Sequence, residues 1–104
     1  MSRRRYEILL PTRYNDGTLV EPEKFFETQE ELVAAFGALT TSPELLRGIW
    51  MQNGQRFEDH HIRLLIDVDA TPENRAFFRE FKQKLKTQFR QIDLWIISYE
   101  IEVI

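Results

Sequence analysis

Hydrophobic positions recur along this chain with two periods, and the switch between them marks out the elements. Tyr6, Ile8 and Leu10 alternate with Arg5, Glu7 and Leu9, which predicts a first strand with the Tyr6 side facing a core. Pro11 has no amide hydrogen, so that strand is expected to leave regular pairing there or to lie with that position facing away from a neighbour. Asn15-Asp16-Gly17 is a turn signal, making Tyr14 to Leu19 a surface loop or a small hairpin. Thr28 to Glu31 reads as a capping box, and Leu32, Ala35, Phe36 and Leu39 then form one helical stripe. Phe25 and Phe26 precede that cap and suit either a helical turn opened by Pro22 or an extended lead-in. Gly37 lies near the helix end, and Thr40 to Pro43 forms a polar connection.

A second strand is expected over Leu45 to Gln52, followed by Asn53-Gly54, whose two residues suit the positive φ angles of a type I′ hairpin turn. Pairing outward from that turn sets Trp50 opposite Phe57. The third strand, Phe57 to Asp69, alternates Ile62, Leu64, Ile66 and Val68 with His61, Arg63, Leu65 and Asp67, so its two faces differ sharply. By strict alternation Trp50 and Phe57 share the His61 face, and a bulge at Glu58 to His60 would reverse this. Thr71-Pro72 opens a second helix, to about Gln91, with Phe78, Phe81, Leu85 and Phe89 on its core stripe and Phe77 beside them. A final strand runs from Leu94 to Ile104.

The resulting order, β-α-β-β-α-β, is that of a single α+β domain over residues 1–104 with a ferredoxin-like fold. Right-handed crossovers give a four-stranded antiparallel sheet in the order 4-1-3-2 with both helices on one face. The other face is then open. It is expected to carry Glu7, Leu9, Trp50, Phe57, His61, Arg63, Leu65 and Asp67, together with Ile96, Ser98 and Glu100 from the final strand.

Composition narrows the function classes. The net charge is −3, which argues against a nucleic-acid partner, since phosphate neutralisation calls for a basic surface. Arg3, Arg4 and Arg5 are read as a solvated strand start, and the apolar run Ile8-Leu9-Leu10 is too short for a signal or a membrane span. With no cysteine there is no thiolate chemistry, and a cytoplasmic location is the expectation. Phosphate-binding glycine loops and the nucleophile elbow are absent. His60 and His61 are adjacent on a strand, so their rings point to opposite faces and cannot jointly chelate a metal. No metal or other cofactor is expected. RNA recognition in this topology needs aromatic residues on the central strands, where this chain has YEILLPT and HHIRLLIDV.

The open face is therefore the candidate site. Its apolar members predict self-association, most simply as a homodimer, with a small molecule or a protein as a further partner. A rival reading makes the chain an enzyme of the dimeric α+β barrel type. His61 would be its acid/base, tuned by Asp59, Arg63 or Glu7, and Arg63 would hold an anionic substrate between walls of Trp50 and Phe57. A third makes it a regulatory or toxin-antitoxin-like partner. The plain alternative is a ladder of exposed charges.

Phe36-Gly37-Ala38-Leu39-Thr40, Gly48-Ile49-Trp50 with Asn53-Gly54 and Asp59, and Phe77-Phe78 through Lys84-Leu85-Lys86, Phe89 and Gln91 carry one further signal. Together they resemble a group of small uncharacterised bacterial proteins with a G-x-W hairpin and a phenylalanine-rich second helix. The resemblance implies a bacterial origin and a ferredoxin-like fold, and brings no activity with it.

Overall fold

The computed structural model describes residues 2–42 and 46–104. In chain order the elements are β1 (Arg3–Pro11), α1 (Pro22–Phe36), β2 (Thr40–Thr41), β3 (Leu46–Gln52), β4 (Gln55–Asp69), α2 (Pro72–Gln88) and β5 (Trp95–Ile101). The expected four-stranded sheet in the order 4-1-3-2 is corrected here. The antiparallel sheet has five strands, running β2-β4-β1-β5, with β3 paired to β4 off that path.

Strand length explains the difference. β4 has 15 residues and β1 only 9, so β4 outruns its neighbour once β1 stops at the pair Pro11–His61. Two separate segments share the other flank of β4: Thr40 and Thr41 lie opposite Leu65 and Leu64, and Leu46 to Gln52 lies opposite His61 to Gln55. Beyond His61 the β3-β4 pair projects as a two-stranded arm. Asn53 (φ 52°) and Gly54 (φ 77°) close its tip in the left-handed region, as the turn requires. The register from Leu46–His61 to Gln52–Gln55 is unbroken, so no bulge intervenes at Glu58 to His60. The expected strand start at Leu45 and the Pro43 end of the connection lie outside the described residues, while Thr40 and Thr41, expected in that connection, form β2 instead.

One sheet face meets both helices. Ile8, Leu10 and Leu64 are fully buried and Tyr6, Ile66 and Val68 nearly so, in one cluster with Leu32, Phe78, Phe81, Leu85 and Phe89. Tyr6 and Phe78 stack with ring centres 3.9 Å apart. α2 starts as expected, Thr71 Oγ1 accepting from the Asn74 amide at 3.1 Å, and ends three residues early, with Phe89 as C-cap and Arg90 at φ 52°.

α1 departs further from expectation. It begins at Pro22, six residues before the anticipated cap, so Phe25 and Phe26 are helical. Thr28 is buried in the helix, its hydroxyl donating to the Lys24 carbonyl at 2.7 Å, a back-bond that satisfies the group without water. The buried stripe is consequently Phe25, Thr28, Leu32 and Phe36, and Ala35 is exposed.

The segment after β1 forms the small hairpin. Arg13 bridges Leu19, and the Tyr14 amide donates to the Thr18 carbonyl at 2.8 Å. Tyr14 is buried and clasps the hairpin to the helix ends: its hydroxyl meets Glu21 and Lys24, and Lys24 also donates to the Gln88 carbonyl at 2.7 Å. The Arg90 guanidinium lies 4.6 Å from the centre of the Tyr14 ring.

Candidate functional site

Antiparallel partners share a face, so the registers fix the composition of the open side row by row. Across β5, β1 and β4 the rows are Ile101-Arg3-Asp69, Tyr99-Arg5-Asp67, Ile97-Glu7-Leu65 and Trp95-Leu9-Arg63. Further out, on β4 and β3, come His61-Leu46, Asp59-Gly48 and Phe57-Trp50. Glu7, Leu9, Trp50, Phe57, His61, Arg63, Leu65 and Asp67 thus stand together on this face as the alternation required. Trp50 and Phe57 stack at 5.4 Å with their planes 16° apart.

Glu100 does not belong there, nor do Ile96 and Ser98. Their partners on β1 are Arg4, Ile8 and Tyr6, so they lie on the helix side. The cause is the parity of β5: Ile96 faces the fully buried Ile8 and packs on the core, which turns Trp95, Ile97 and Tyr99 outward. Alternation alone points the other way, since Trp95, Ile97, Tyr99 and Ile101 form the more apolar side and Ile96, Ser98 and Glu100 the more polar one. The outcome is an exposed apolar column on β5, with Trp95 60%, Ile97 37% and Tyr99 40% accessible.

Charges on this face largely satisfy one another. Arg5 grips Asp67 with two hydrogen bonds of 2.7 and 2.9 Å, and Arg3 meets Asp69 at 2.8 Å. The Arg5 guanidinium holds the Asp67 carboxyl below the usual carboxylate range. Arg63 approaches the half-buried Glu7 at 3.8 Å. The amino-terminal arginines are therefore cross-strand partners and not merely a solvated start; Arg4 completes the set, donating to Ser98 Oγ at 2.9 Å on the helix side.

Where β1 leaves β4, a cleft of about 590 Å³ opens between the projecting arm, the Tyr14 hairpin and the start of β5. Trp50, Phe57 and Trp95 supply aromatic surface, and Asp59 and His61 lie along the same β4 face. Burial pushes the His61 imidazole below its ordinary range, opposed by the nearby Asp59 charge. Gly48 faces this ring: a Cβ there would stand 3.6 Å from His61 Cε1, ordinary contact. Arg63 does not line the cleft. Sequence reading missed Arg13, Tyr14, Asp93 and Trp95 as lining residues, since only the chain path brings three loops to one rim. Among the described residues no group of three or more potential metal ligands is assembled, and no helix is long and apolar enough to cross a membrane.

No protein-family model matches this sequence, and no curated protein matches it. Several solved structures are similar. The divalent cation tolerance protein CutA1 of Thermus thermophilus is 18% identical over 95% of this chain and 84% of its own, with a TM-score of 0.63. A phage SAM lyase in complex with S-methyl-5′-thioadenosine is 15% identical over 97% and 90%, with a TM-score of 0.64. B. subtilis GlnK in complex with ATP is 20% identical over 96% and 82%, with a TM-score of 0.58. At these identities the likeness establishes a small ferredoxin-like α+β fold.

Proposed function

We propose that this chain is a self-associating binding module, in which further copies cover the open sheet face and the rim cleft takes a small ligand. The uncovered apolar column of Trp95, Ile97 and Tyr99, continued by Leu9 and Leu65 between neutralised ion pairs, carries the reading. Charges that are already paired have little need of a charged partner, while a contiguous apolar strip gains from leaving water. A second copy offers the same strip, which makes a two-fold contact self-complementary. The cleft lies within the size range of small-molecule sites. Two of the similar structures hold adenine-bearing small molecules, so the fold is known to present such sites.

Ile97→Asp is the test, because it sets a carboxylate beside Glu7 in the middle of the strip and leaves the cleft lining intact. Native mass spectrometry and light scattering at micromolar concentration should show the unmodified protein at a multiple of its chain mass and the variant at the single-chain mass. A monomeric unmodified protein would end the self-association reading.

A further inference from the structure

We infer that the rim cleft binds a small organic cation carrying a flat apolar group, held between the stacked Trp50 and Phe57 and the carboxylate of Asp59. This rests on the reading of the cleft as a small-ligand site and adds the ligand's chemical class.

The charge inventory of the lining decides between anion and cation. Three carboxylates line the cleft, from Glu58, Asp59 and Asp93, against one guanidinium, that of Arg13. Arg13 is turned to its own hairpin, donating to the Gly17 carbonyl at 2.8 Å. Glu58 is ion-paired with Arg47 and Arg56, and Asp93 meets Lys82 at 3.1 Å. Asp59 has no ion-pair partner among the described residues, and its neighbour two places along the same face, His61, is kept neutral near pH 7 by burial. An anion entering here would meet uncompensated negative charge, whereas a cation would supply the missing partner.

The aromatic residues complete the selection. Phe57, Asp59 and His61 follow one another along one face of β4, and Trp50 lies opposite Phe57. A carboxylate is thus flanked by a stacked aromatic pair on one side and an imidazole on the other. Ring faces attract cations through their quadrupole, and the same rings give a flat apolar body a surface to leave water on. Trp95 adds a second indole across the cleft.

Both tryptophans of the chain line this cleft, so its occupancy is readable in intrinsic fluorescence. Benzyltrimethylammonium is the probe, with benzoate and benzyl alcohol as anionic and neutral bearers of the same ring. A saturable change in emission is expected for the cation, with clearly weaker binding of both controls. Asp59→Asn should weaken cation binding about threefold or more, and Trp50→Leu roughly two- to fivefold, each variant first checked for native circular dichroism. The inference is overturned by the absence of a saturable response, by benzoate or benzyl alcohol binding as tightly as the cation, or by unchanged affinity in Asp59→Asn. Light scattering on the same samples separates the two proposals: a monomer that binds the cation overturns only self-association, and an oligomer indifferent to it overturns only the cation.

Discussion

Among single residues, Asp67 and His61 respond to acid in the same direction for different reasons. Asp67 is held ionised by the two-pronged Arg5 contact, so its folded-state pKa lies below its unfolded value of about 3.9. The stabilisation is fully present above that value and is lost as pH falls through the folded one. Both partners remain about one-third exposed, which limits the contribution to about 0.5–1 kcal/mol. Asp67→Asn should therefore lower stability by that amount at pH 7 in urea titrations, and the gap between variant and parent should close at strongly acidic pH. His61 is disfavoured as imidazolium by burial, so the unfolded chain binds its proton more readily and acid again favours unfolding. Its NMR titration midpoint should fall below about 6.5.

At the level of elements, α2 is held by its buried face more than by its cap. Phe89 is fully buried, and Phe25 meets it edge-on at 5.4 Å. Phe89→Ala should cost about 3–5 kcal/mol, against about 1 kcal/mol for Thr71→Ala, a ranking that chemical denaturation can check directly. These two features were legible in the sequence because each is local: a cap is two residues, and a phenylalanine stripe has one possible inward side. The Asn53-Gly54 turn and the Trp50–Phe57 pair were legible for the same reason, since a type I′ turn fixes the register outward from itself. The α1 boundary was not. Thr28 satisfies both a cap pattern and a buried back-bond, and only packing against the sheet chooses between them. β5 failed for the opposite reason: its more apolar side, Trp95, Ile97, Tyr99 and Ile101, is the one turned outward, because pairing with β1 set a parity that placed Glu100 away from the site.

For the whole molecule, unequal strand length creates a stiff body and a projecting arm. The inner half of β4 is flanked by β1 on one side and, at Leu64 and Leu65, by β2 on the other; the outer half is paired through β3 alone. Hydrogen exchange should therefore be slowest at Leu64 to Val68 and markedly faster at Arg56 to Asp59, as expected where fewer buried contacts hold the backbone bonds. Self-association that also engaged the arm would slow exchange there in step with protein concentration. Neither the arm nor the cleft could be read from the residues that form them, because both arise from where a different strand stops.

That stopping place is Pro11. Its ring nitrogen faces away from β4, toward the side where β5 begins only at Trp95, and past it Thr12 still meets the His60 carbonyl through its amide at 3.1 Å and its hydroxyl at 3.2 Å before the chain veers into the hairpin. The hollow at the rim is thus the footprint of a strand that ends early.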